Sequence, residues 1–108
     1  MSQARQIIEQ AAQRIAQDTD RVRQVGAVFR FVVDGNDGGN WLVDLKHEPG
    51  IRETGGDSDC VVALSADDFV ALFDGRVSAQ ELFFTGRLRV TGDMGCAVKL
   101  DSLPGVLR

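Results

Sequence analysis

Apolar residues at Ala4, Ile7, Ile8, Ala11 and Ile15 keep the three-and-four spacing of one helical face, in a segment rich in Ala, Gln, Arg and Glu. This predicts a helix from Ser2 to about Gln24. Asp18-Thr19-Asp20 interrupts it, so that a second short turn follows with Asp20 as its cap. The period then changes. Val25, Ala27, Phe29, Phe31 and Val33 alternate with Gly26, Val28, Arg30, Val32 and Asp34, which is strand spacing with one wholly apolar face. The run 34–40, Asp-Gly-Asn-Asp-Gly-Gly-Asn, is dense in residues that accept positive φ and reads as a hairpin loop. Trp41, Val43 and Leu45 then alternate with Leu42, Asp44 and Lys46 in a second strand, antiparallel to the first. Pro49-Gly50 marks a turn. A short third strand spans Ile51 to Thr54. After Gly55-Gly56-Asp57 a fourth runs from Cys60 to Leu64. Short turns between four strands predict an antiparallel meander.

The second half is mainly helical. Ser65-Ala66-Asp67-Asp68 has the serine-then-acid spacing of a helix start, followed by Phe69, Leu72 and Phe73 on one face, and Gly75 stops the helix. Ser78-Ala79-Gln80-Glu81 repeats the pattern ahead of Leu82, Phe83 and Phe84. Beyond Gly86, Leu88 and Val90 alternate with Arg87, Arg89 and Thr91 as a fifth strand. Asp93 caps a last helix carrying Met94, Ala97, Val98 and Leu100, which Pro104 ends. The architecture is α+β: one five-stranded, mainly antiparallel sheet covered on one face by about five helices. The 108 residues form a single domain, 1–108.

Composition narrows the function by exclusion. No apolar run approaches a membrane span, and no charged-then-apolar signal segment opens the chain. The formal net charge of −4 argues against nucleic acid as a partner. Charge is uneven: residues 35–75 hold nine acidic and two basic side chains, and residues 76–108 hold three acidic and five basic. A solvated surface explains this; the sharper reading is a transient contact of the basic end with an anionic membrane surface. Cys60 and Cys96 make no disulfide framework, which suggests reduced thiols in a cytosol-type setting, with Cys60 buried and inert. One histidine leaves a His-rich zinc site without ligands.

Catalytic chemistry does not assemble either. Gly86, Gly92 and Gly95 form no dinucleotide fingerprint, and no phosphate loop is present. His47 belongs to a solvated loop, and Asp67-Asp68 suit the positive end of a helix dipole better than acid–base work. No cofactor or metal is called for, and the chain is expected not to be an enzyme. The positive signal is apolar. Phe31, Val33, Trp41 and Val43 share one sheet face, and Phe69, Phe73, Phe83, Phe84, Met94 and Val98 lie on the helices that cover it. These side chains either pack one another as core, or line an apolar chamber under a loosely fitted helical cover.

The order of the motifs Val25-Gly26-Ala27-Val28-Phe29-Arg30-Phe31, Trp41-Leu42-Val43-Asp44-Leu45-Lys46 and Asp59-Cys60-Val61-Val62-Ala63-Leu64-Ser65 resembles the sterol carrier protein 2 domain family. The most specific block is Phe83-Phe84-Thr85-Gly86-Arg87-Leu88-Arg89-Val90-Thr91-Gly92-Asp93-Met94-Gly95. The resemblance implies an apolar tunnel between sheet and helices that carries sterols, fatty acids, acyl-coenzyme A thioesters or phospholipids without catalysis. Carried over by position, it implies a lining of Phe31, Val33, Trp41, Val43, Phe69, Phe73, Phe83, Phe84, Leu88, Val90, Met94 and Val98, with Gln80 at a polar ligand end. The chain ends without a Ser-Lys-Leu-like peroxisomal signal and with a short tail, so a cytoplasmic prokaryotic relative is expected. Release of a lipid would need the last helix, around Met94–Leu103, to shift about Gly92 and Gly95. The alternative is an accessory or protein-interaction module of an acyl-coenzyme A or lipid-metabolising system, with its chamber filled by its own side chains.

Overall fold

The computed structural model describes residues 3–36, 38–53 and 56–107. The expected helix start at Ser2, the loop residue Asp37, the strand end at Thr54, the turn residue Gly55, the terminal Arg108 and the side chain of Ala97 lie outside the described part. Helix α1 (Gln3–Gln17) buries Ala4, Ile8, Ala11 and Ile15, the face that the spacing marks. The Thr19 hydroxyl then donates to the Ile15 carbonyl at 3.1 Å, and α2 (Thr19–Arg23) follows. Asp20 does not cap it. Asp20 sits inside the first turn, where its charge meets the helix dipole, and Asp18 precedes that turn without a side-chain cap bond.

Gly26, at φ 65°, bends the chain before strand β1 (Val28–Asp34), so the strand starts three residues later than the alternation suggests. Val25 and Ala27 are nonetheless buried. Strand β2 (Gly39–Asp44) pairs with β1 antiparallel, Phe31 opposite Trp41 and Phe29 opposite Val43. Strand β3 (Gly50–Arg52) adds to the far side of β2.

Here the expected meander fails. Strand β4 (Cys60–Ser65) pairs with β1 in parallel, Phe31 opposite Val62 and Val33 opposite Leu64, and the sheet order is β3-β2-β1-β4-β5. The chain crosses back over β2 and β1 because the second edge of β1 carries unpaired backbone groups that only another strand can satisfy. Asp59 sets the register: its N–H donates to the Val28 carbonyl at 2.8 Å, and its Oδ2 accepts the Val28 N–H at 2.9 Å. Strand β5 (Leu88–Gly92) is antiparallel to β4. The sheet is therefore mixed, mostly antiparallel with one parallel pair.

Both serine caps form. Ser65 Oγ accepts the Asp68 N–H at 3.1 Å ahead of α3 (Ala66–Phe73), and Ser78 Oγ accepts the Glu81 N–H at 3.0 Å ahead of α4 (Ala79–Phe84). Asp93 Oδ1 accepts the Gly95 N–H at 2.7 Å at the start of α5 (Met94–Lys99). Pro104 does not end the last helix as expected. A 3-10 turn (Leu100–Ser102) closes α5, and Pro104 lies in the first turn of α6 (Leu103–Leu107), where its missing N–H costs nothing.

The core lies between the sheet and the helices. Phe69 on α3 meets Phe31 edge-on with ring centres 5.6 Å apart, lies 4.8 Å from Phe73, and stacks with Trp41 at 6.3 Å. The expectation of two free thiols is also overturned: Cys60 and Cys96 form a disulfide, with Cα atoms 6.1 Å apart. A sequence separation of 36 conceals this proximity. Folding of β5 against β4 brings the start of α5 back over Cys60.

Candidate functional site

Three short elements enclose an apolar chamber at the β5 edge. Helix α4 contributes Ala79, Gln80 and Phe83; β5 contributes Leu88 and Val90, two apart and therefore on one face; α5 contributes Met94 and Val98, one helical turn apart. Leu100 and Asp101 close it from the 3-10 turn. Its volume is about 350 Å³, within the range of small-ligand pockets. Leu88 and Leu100 are buried and form its floor, whereas Phe83 (50% exposed), Met94 (68%) and Val98 (76%) form an open rim. Large apolar side chains held in water are costly, and a group of them around one concavity marks a binding surface more specifically than any one alone.

Two polar contacts hold the walls. Asp101 Oδ1 accepts the Ala79 N–H at 2.9 Å, which fixes the 3-10 turn to the start of α4. Arg87, just before β5, binds the carboxylate of Asp68 on α3, with Nε 3.3 Å from Oδ2 and a second contact from its terminal nitrogen to Oδ1. That hydrogen bond and the Asp68 charge raise the Arg87 guanidinium above its ordinary range and keep it cationic. Asp68 thus anchors the α4–β5 connection to the core as well as favouring the start of α3. Gln80 is exposed at the rim. With Asp101 it supplies the polar side chains of the lining.

Of the residues expected to line a tunnel, Gln80, Phe83, Leu88, Val90, Met94 and Val98 come together on this chamber. Phe31, Val33, Trp41, Val43, Phe69 and Phe73 lie elsewhere, buried in the close-packed core. The register Val62–Val90 and Leu64–Leu88 puts the β5 wall one strand from β4 and two from Phe31. Phe84 is 75% exposed and, while its ring meets that of Phe83, it is not part of the lining. Ala79, Leu100 and Asp101 are lining residues that the sequence reading did not name as such. Asp101 acts 22 positions away from its partner, and no local pattern signals that.

His47 is exposed and donates its backbone N–H to Asp44 Oδ1 at 3.0 Å. Among the described residues no three His, Cys, Asp or Glu side chains gather to hold a metal ion, and no helix is long and apolar enough to cross a membrane.

Comparison with known proteins bears on this geometry. The profile of the SCP-2 sterol transfer family matches residues 8–104. Bovine hydroxysteroid dehydrogenase-like protein 2 is 38% identical over 96 residues, covering 83% of this chain and 23% of the relative. Human sterol carrier protein 2 is 38% identical over 87 residues, covering 76% of this chain and 16% of the relative. The chain thus spans less than a quarter of the length of these curated relatives. Among solved structures, the apo form of sterol carrier protein 2 from Yarrowia lipolytica superposes with a TM-score of 0.74 at 27% identity, over 94% of this chain and 84% of that one. Aedes aegypti sterol carrier protein 2, solved in complex with the C16 fatty acid palmitate, shares the fold with a TM-score of 0.65 at 18% identity, over 92% of this chain and 97% of that one. With nine-tenths of its length matched by one family and the same overall fold in the solved structures, the chain belongs to the SCP-2 sterol transfer family.

Proposed function

We propose that this protein binds one long-chain lipid in the chamber between α4, β5 and α5, and carries it without chemical change. The observation that carries the reading is the concavity itself: apolar walls from three elements, with three large apolar side chains exposed at its rim. The family membership supports it, as does the palmitate held by the Aedes aegypti protein of the same fold. An aliphatic chain gains about 0.8 kcal/mol per CH₂ removed from water, so a fatty acid or acyl-coenzyme A thioester needs few polar contacts. Gln80 at the mouth meets the polar end. Walls of this kind separate homologous chains by little more than a methylene's worth, so sterols and phospholipids are also candidates and broad selectivity follows.

A second reading has its own support. The aromatic core is filled by Phe31, Trp41, Phe69 and Phe73, and the chain matches only a part of longer relatives, as an accessory module would. Such a module binds no free lipid. The test is titration with a fluorescent long-chain fatty acid. Phe83→Asp places a charge in the chamber wall and should weaken binding by about tenfold or more, a desolvation cost on the order of 1.4 kcal/mol or above. Phe84→Asp, outside the lining, should stay within about twofold of wild type. Equal loss in both variants, or no binding by the wild type, contradicts the carrier reading.

A further inference from the structure

Between Gly92 and Leu100 the chamber's outer wall is held weakly. Gly92 adopts φ 110°, and α5 is only six residues long, too short to persist without packing. Met94 and Val98 are largely exposed, and Gly95 and Lys99 are exposed as well. Among the described side chains of α5, Cys96 alone is buried, 3% exposed, and it is bonded to Cys60 at the start of β4, 1% exposed. The next buried anchor is Leu100. The disulfide ties the start of this wall to the sheet, beside the Asp93 N–H donating to the Asp59 carbonyl at 2.9 Å and the pairing of Gly92 with Cys60.

We propose that Cys60–Cys96 is a redox latch. In the oxidised protein α5 is held against β4 and the chamber stays closed on that side; reduction by a dithiol releases α5 and speeds lipid exchange. A dithiol thiolate attacks one sulfur, giving a mixed disulfide and one protein thiolate. The second thiol of the reductant then displaces the remaining protein sulfur. The protein gains two electrons and two protons as Cys60 and Cys96 thiols, and the reductant leaves as its own disulfide. In a reducing compartment a disulfide that persists only transiently is characteristically a sensor. Both sulfurs are covered in the closed state, so attack requires α5 to lift. A lipid that engages Met94 and Val98 therefore protects the bond, and the coupling runs in both directions.

The latch rests on the lipid-binding reading, and the test separates the two. Air-oxidised and dithiothreitol-reduced wild type would be compared by dissociation of a pyrene-labelled long-chain fatty acid and by amide hydrogen exchange. The double variant Cys60→Ala/Cys96→Ala controls for direct effects of the reductant. Dissociation should be about tenfold faster from reduced protein, a normal size for such coupling. Exchange should rise far more at Met94–Lys99 than in β1 and β4, and the variant should match the reduced state with or without reductant. Equal rates and equal α5 exchange in both states overturn the latch, as do two titratable thiols in the oxidised protein. A loss of protection in the sheet as large as that at Met94–Lys99 assigns the bond to global stability alone and also overturns the latch. If no probe binds in either state, the carrier reading fails, and α5 exchange alone decides on the latch.

Discussion

Asp44 shows how one buried carboxylate organises a loop. It ends β2 almost wholly covered, and its Oδ1 accepts the N–H groups of Lys46 and His47 at 2.9 and 3.0 Å, its Oδ2 that of Glu48 at 3.2 Å. Arg52 adds an ion pair at 3.1 Å. Burial alone would raise its pKa; the three backbone donors and Arg52 outweigh that and hold it below the usual carboxylate value. A depressed folded pKa stabilises above the unfolded value, near pH 4, and the contribution is lost as pH falls through the folded value. Asp44→Asn should cost about 1–3 kcal/mol at neutral pH, and the gap to wild type should shrink in denaturant titrations as pH falls below the ordinary aspartate value. The alternation of the strand does mark Asp44 as an outward, polar position. It does not reveal that three successive backbone donors curl round it, because that depends on the path of the loop. Gly92 is a second such point. A Cβ there would lie 2.5 Å from the Asp59 carbonyl oxygen, at a φ that side chains rarely adopt. Gly92→Ala should destabilise by about 1–3 kcal/mol, read as a lowered melting temperature.

Elements were legible where their signals are local. Ser65 and Ser78 announce α3 and α4 by spacing alone, and each hydroxyl accepts the expected N–H. Ser65→Ala should therefore cost about 1 kcal/mol in chemical unfolding. The errors lie where local pattern underdetermines the outcome. Proline breaks a helix only from its interior, and Pro104 sits in a first turn. Alternation in β4 identifies a strand but not its neighbour, which was decided by the open edge of β1 and the two Asp59 hydrogen bonds. The Cys60–Cys96 bond is the largest consequence of that pairing. It joins positions 36 apart in the sequence, at β4 and α5, and closing a loop of that size is worth about 3–4 kcal/mol by chain entropy. Cys60→Ala/Cys96→Ala should lower the unfolding free energy by a comparable amount; an unchanged midpoint would show that the bond contributes nothing to the fold.

At the scale of the molecule, one sheet serves two purposes. Its β1–β2–β4 centre supports a filled aromatic core, and its β5 edge, left without a further strand, carries the chamber. The family resemblance implies that both sets of apolar residues share one lining; periodicity shows which face is apolar and not how tightly that face is covered. Phe31 and Phe83 look alike in sequence, but one is packed edge-on against Phe69 and the other stands half exposed at the rim. The division places the chamber on a flank of the fold, beside α5. The most direct test of the carrier account is native mass spectrometry of freshly purified protein, followed by incubation with a long-chain fatty acid. The account predicts a one-to-one complex with an apolar ligand, either co-purified or taken up, that Phe83→Asp fails to form. A wild-type spectrum showing only the bare chain before and after incubation would contradict it.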